Sequence, residues 1–120
     1  MGRGVDHSPV LDASVTATVA DGDVELSVTV RNAGTEPVEC SFRDGQRVEA
    51  VAERGDGTEA WRHSDGRVFP MALGTETIAP GGAQTFDVTW PEPAPGEYRV
   101  RVWLTATDAD ASAETRVTVA

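Results

Sequence analysis

The sequence predicts an all-β protein, an immunoglobulin-like antiparallel β-sandwich of about eight or nine short strands. Apolar residues recur with period two along almost the whole chain. Clusters of Gly, Asp, Asn and Pro punctuate that rhythm at the spacing expected of short strands, and no stretch carries a helical stripe. A small barrel built from the same strands is the alternative that this pattern leaves open.

Residues 1–10 carry no pattern and are expected to form a loose N-terminal arm, with one domain over residues 11–120. Leu11, Ala13, Val15, Ala17 and Val19 alternate with polar or small residues. Asp21-Gly22-Asp23 turns the chain into Val24, Leu26, Val28 and Val30, so the two runs predict a hairpin with one apolar face. Asn32-Ala33-Gly34 is a second turn, before a strand that places Val38, Cys40 and Phe42 on one side. Arg43-Asp44-Gly45 leads into Val48, Ala50 and Ala52, and Gly55-Asp56-Gly57 into a short strand around Trp61. Residues 63–75 are less regular. Pro80-Gly81-Gly82 precedes Phe86, Val88 and Trp90. The run Pro91 to Gly96 must be a stiff connection, because proline cannot serve a central ladder. Tyr98, Val100, Val102 and Leu104 form the cleanest strand, and Thr115, Val117 and Val119 the last.

A chain of 120 residues has room for one core and no second. Its 20 acids face 10 basic residues, every one of them Arg, for a net charge of −10. That sign argues against nucleic acid or an anionic membrane as a partner. Acid excess without Lys matches the composition of proteins from salt-loving microbes, where a Debye length of about 3 Å at about 1 M salt quenches carboxylate repulsion. Codon bias toward Arg is the competing explanation. Cys40 is the only cysteine, so no intrachain disulfide forms. No apolar run follows Met1 and none is long enough to span a bilayer, which leads to the expectation of a cytoplasmic protein.

Catalytic chemistry has little to stand on. His7 and His63 form no ligand pair. His63-Ser64-Asp65 holds the three residue types of a triad, but consecutive residues cannot converge on one reacting atom. Asp21/Asp23 and Asp108/Asp110 could offer paired oxygens to Ca²⁺, although solvated turns explain them as well. Cys40 shares its side with Val38 and Phe42, as a small core residue does. The glycines precede no helix and so make no phosphate loop. No cofactor is implied. Trp103 points away from Val102 and Leu104, toward the face of Arg99 and Arg101. It is either covered by a neighbouring segment or an anchor for a partner.

From Val28 to Leu104 the order of features is recognisable. It runs Asn32, Phe42, Gly45-Gln46, Gly57, Trp61, then Ser64-Asp65-Gly66-Arg67-Val68-Phe69. Pro80-Gly81, Phe86, Trp90 and Gly96-Glu97-Tyr98 complete it, with Leu73 and Ile78 at apolar positions between. This series resembles the BsuPI-type intracellular proteinase inhibitors. The chain departs from that family's aromatic-acid-aromatic step, reading Val48-Glu49-Ala50 instead. The resemblance implies an immunoglobulin-like sandwich and inhibition of an intracellular subtilisin-like serine protease.

An inhibitor needs an extended loop on a rigid scaffold. The candidate is Arg67 to Thr75, where Val68, Phe69, Met71 and Leu73 would fill apolar subsites and Pro70 would stiffen the backbone. With Trp103, these are the candidate partner-binding residues. Against this stands the reading that Phe69 and Leu73 plug the end of the sandwich. The proline connection Pro91 to Gly96 is the second candidate loop. A different function class stays open, a general accessory or adhesion module, because Val24 to Phe42 also resembles the Val-x-Asn-x-Gly strand-turn step of many surface β-sandwich domains.

Overall fold

The computed structural model describes residues 10–69, 71 and 73–120; the expected N-terminal arm, Val10 aside, lies outside them. Among the described residues nine strands follow one another: β1 (Leu11–Ala20), β2 (Asp23–Asn32), β3 (Val38–Phe42), β4 (Val48–Glu53), β5 (Glu59–Arg62), β6 (Gly74–Ile78), β7 (Ala83–Trp90), β8 (Gly96–Leu104) and β9 (Ser112–Val119). All pairings are antiparallel. They build a three-stranded sheet β1-β2-β7, a four-stranded sheet β5-β4-β8-β9 and a ladder β3-β6. The protein is an antiparallel β-sandwich.

The β1–β2 hairpin closes on a two-residue loop, since Ala20 pairs with Asp23. Asp21 and Gly22 take φ of 53° and 84°, the left-handed pair that matches the twist of the flanking strands. Val24, Leu26, Val28 and Val30 of β2 face Val48, Ala50 and Ala52 of β4 and Val100, Val102 and Leu104 of β8 across one buried core. Cys40, Phe42 and Ile78 of the β3–β6 ladder join the same core. Burial of such aliphatic side chains is the main favourable term in folding.

The structure departs from the period-two reading at β4. Glu49 and Val51, on the outer face of the sheet, are buried along with Val48, Ala50 and Ala52 on the inner one. Val51 pairs with Arg62 on one side and Arg101 on the other, and both Arg side chains are half-buried along the sheet. Long Arg stems cover apolar surface while their heads reach Glu59 and Glu53. Among the aromatics of the strands, Trp90 and Tyr98 are buried. Trp61 and Phe86 are half-buried, because β5 and β7 are edge strands with one flank open. β6 is an element that the alternation did not delimit, since Thr75, Glu76 and Thr77 leave it only Ile78 as a buried apolar residue.

One buried polar side chain joins the turns at this end of the sandwich. Asn32 has no exposed surface. Its Nδ2 donates to Glu36 O at 2.7 Å and to Ile78 O at 2.9 Å, and its Oδ1 accepts from Gly34 N at 2.9 Å. Its main chain donates to Gly82 O and accepts from Gly81 N, both at 2.9 Å. The side chain therefore replaces water for groups of the β2–β3 turn and the end of β6. Asn32→Ala should lower unfolding free energy by about 2 kcal/mol, since the buried Ile78 carbonyl and the part-buried Glu36 carbonyl lose their donor. Asn32→Asp should cost more, because a carboxylate can only accept and would face both carbonyls. Urea melts of the two variants check this; a loss below about 1 kcal/mol for both contradicts it.

Candidate functional site

The segment between β5 and β6 leaves the sandwich as an exposed loop held at both ends. At its start, His63 N donates to Ala50 O at 2.9 Å, and Ser64 N donates to Glu49 Oε1 at 3.1 Å. Asp65 N to Arg62 O and Arg67 N to Ser64 O close successive tight turns around Gly66, whose φ of 73° suits a residue without Cβ. At its end, Gly74 pairs with Phe42 and begins the β6 ladder. Arg47 braces that ladder: its guanidinium lies 4.4 Å over the Phe42 ring, bonds Glu76 at 3.2 Å and donates to Asp44 O at 2.7 Å. A Cβ on Gly74 would lie 2.8 Å from Arg47 Nη2, so glycine leaves room for this brace.

Between those anchors the chain presents apolar side chains to solvent. Val68 is 96% exposed, Met71 93% and Leu73 87%, while Val10 and Val19, the next most exposed large apolar residues described, are half as open. Leu73 therefore does not plug the sandwich. Phe69 turns inward: it is half-buried and meets His63 edge-on at 5.9 Å. His63 lies 6.1 Å from Trp61, Trp61 stacks on Trp90 at 5.4 Å, and Trp90 meets Tyr98 edge-on at 4.8 Å. This row of rings runs from the loop into the core. Pro70 lies outside the described residues.

The other candidates fall elsewhere. Trp103 is half-buried on the outer face of the four-stranded sheet, opposite Glu49 on β4, with Arg101 6.0 Å from its ring. It shares a face with the carboxylate that holds Ser64. Arg99 and Arg101 both bond Glu53, and the hydrogen bond from Arg99, then that from Arg101, holds its carboxyl below the usual range. The proline connection offers no exposed large apolar side chain, and it is tied down by Glu92 N to Asp23 and by Tyr98 Oη donating to Ala94 O at 2.7 Å.

The remaining chemistry is committed to structure. Cys40 is buried, and burial foremost, then Asp108 and Glu76, pushes its thiol up, away from the reactive thiolate. Asp108 accepts from Ser41 N at 2.8 Å, which lowers its carboxyl. Among the described residues no three His, Cys, Asp or Glu side chains gather as a metal cage. Glu49 is the residue that sequence reasoning passed over. Its Oε1 accepts from both Ala50 N and Ser64 N, and its Oε2 lies 3.8 Å from Arg62. The one sequence signal was an acid kept where the aromatics of the family step are missing.

The description of the BsuPI family, intracellular proteinase inhibitor, matches residues 11–109. The chain belongs to the BsuPI family. The search of curated proteins found no match. The BsuPI chain is similar to the solved structure of Spo0M, the sporulation control protein of Bacillus subtilis, at 17% identity and a TM-score of 0.56, covering 92% of this chain and 49% of that one. It is similar in the same way to the β-glucosidase EmGH1 of Erythrobacter marinus, at 17% identity and a TM-score of 0.52, covering 92% of this chain and 15% of that one. The chain thus spans about half of Spo0M and a small part of the glucosidase, and the likeness shows the fold alone. No described helix is long and apolar enough to cross a membrane.

The ring row gives this BsuPI protein a pH response. Burial holds His63 below its ordinary value of 6.5; Arg67 acts in the same direction and Glu49 against it. Its Nδ1 has no hydrogen-bond partner among the described residues. The unfolded chain thus takes up the proton first, so stability present above pH 6.5 is lost as pH falls from there down through the lower folded-state value. The melting temperature of the wild type relative to His63→Gln should therefore fall from about pH 7.5 to about pH 5.5. A constant difference contradicts this.

Proposed function

We propose that this chain is a non-enzymatic inhibitor of an intracellular subtilisin-like serine protease, and that it docks through the loop from Arg67 to Leu73. The observation that carries the reading is the near-complete exposure of Val68, Met71 and Leu73 on a segment anchored at both ends. Water-exposed apolar side chains on a folded surface mark an interaction site more often than a stability device. Membership of an inhibitor family supplies the kind of partner.

The physical requirement is low ordering cost. A loop that must freeze on entering a cleft loses part of its gain to lost conformational freedom. Here the turns at residues 62–67, the Phe69–His63 contact and the β6 ladder hold the flanks before any encounter. An interface of about 1,600 Å² is the usual size for protease and inhibitor, so the loop needs a supporting rim. In this proposal Trp103, beside Arg101 on the outer face of the sheet, belongs to that rim. The domain of residues 11–120 is the scaffold, and cytoplasmic action follows the family's description.

Met71→Asp with Leu73→Asp tests the reading. Both side chains are solvent-exposed, so the melting temperature should stay within about 2 °C of the wild type. Inhibition of subtilisin, measured at stoichiometric concentrations, should be lost. If the wild type is digested, or leaves the protease untouched, a non-inhibitory binding module replaces this proposal. If the double variant inhibits as well as the wild type, the contact lies elsewhere.

A further inference from the structure

Where the turn after β4 meets the outer face of the four-stranded sheet, the surface opens into a cavity of about 230 Å³. Arg54, Arg99 and Arg116 line it, with Gly55 and Gly57 of the turn beside them and Glu97 as the one acid of the lining. The whole chain carries 20 acids against 10 Arg, so three Arg to one acid inverts its charge balance at this spot.

The neighbouring strands sharpen that inversion. Arg101 of β8 is opposite Glu114 of β9, a rung of opposite charges. On the next rung of the same face Arg99 is opposite Arg116, and like charges directly opposite destabilise a sheet. Glu53 does not offset the excess, because its two oxygens are taken by Arg99 at 3.0 Å and Arg101 at 3.1 Å. Asp56 of the turn accepts from Thr58 N at 3.0 Å and from Thr58 Oγ1 at 2.7 Å, and it is not part of the lining. Among the described residues Arg54 and Arg116 make no ion pair. Both are exposed, unlike Arg62 and Arg101, whose stems cover the sheet.

A guanidinium is a planar fork that grips an oxyanion through two parallel hydrogen bonds. A carboxylate has two oxygens in one plane, enough for one fork. A phosphate has three acceptor oxygens aimed in different directions and close to two charges, so it serves forks that arrive from separate elements. Here they arrive from β8, from β9 and from the turn after β4. We propose that this cavity is a binding site for a phosphate dianion, free or as the monoester of a small molecule. The net charge of −10 repels a long polyanion over the rest of the surface, which a small anion avoids. The site stands apart from the inhibitory reading, since none of its residues belongs to the loop or to the rim around Trp103.

The test titrates inorganic phosphate into isotope-labelled protein at about pH 8, with ionic strength held constant by KCl, and follows the amides by NMR. Amides around Arg54, Arg99 and Arg116 should shift and saturate, with half-saturation at about 1 mM or below. Arg54→Gln and Arg116→Gln should each weaken binding by about 10-fold, and Arg31→Gln, on β2, by less than about 2-fold. Succinate should bind at least about 10-fold more weakly than phosphate. Glycerol phosphate separates the two sources: tighter binding than the free ion assigns the monoester, and weaker binding assigns the free ion. Shifts that never saturate, or that survive both substitutions at Arg54 and Arg116, overturn the proposal. Succinate that binds as tightly as phosphate overturns it too. The inhibitory reading is untouched by either result.

Discussion

Asn32 is a polar side chain enclosed in an apolar sandwich, and burial of its amide is tolerable only because every partner is protein. Leaving such a group unpaired costs about 1–3 kcal/mol. Its Nδ2 reaches Ile78 O across 46 positions of sequence and Glu36 O nearby, while its main chain bonds Gly81 and Gly82. One residue thereby fixes the exit of β2, the turn into β3 and the turn between β6 and β7. The constraint matters because β6 has few apolar residues of its own with which to hold its place.

What Asn32 secures at the end of β6, the Arg47 brace secures at its start, and the loop hangs from that strand. At the other end Glu49 does comparable work with a charge. Its carboxylate is shielded by the sheet yet takes two backbone N–H groups, the kind of charge-assisted bond that makes a buried acid tolerable. Between the two anchors the aromatic row from Phe69 to Tyr98 passes under the loop into the core. Edge-on and stacked contacts of this kind each add about 0.5–1.5 kcal/mol beyond burial. The loop is therefore well held at its base. That combination lets Val68, Met71 and Leu73 face water without the sandwich relaxing around them.

The sandwich was legible because period two is a strong signal wherever one face is buried. Val24, Leu26, Val28 and Val30 announce β2, and Tyr98 to Leu104 announce β8, with the faces the structure confirms. β6 was not delimited, because Gly74-Thr75-Glu76-Thr77-Ile78 owes its place to hydrogen bonding with β3 and to Asn32, neither visible in a local pattern. The burial of Glu49 and Val51 was not legible for a related reason: Val51 lies between Arg62 and Arg101 and Glu49 opposite Trp103, neighbours supplied by other strands. The loop was legible as a gap in the rhythm, and its apolar residues as candidates. That Leu73 is exposed while Phe69 turns inward depends on His63 and the ladder register, which sequence alone does not supply.

In the proposed complex the protease covers the anchored loop. Hydrogen–deuterium exchange of the protein, free and bound to catalytically inactivated subtilisin, measures this without altering a residue. Exchange should slow in a peptide spanning residues 67–73, with a smaller effect around Trp103 and none at Pro91–Gly96. A complex that protects Pro91–Gly96 and leaves 67–73 exchanging as in the free protein would contradict it.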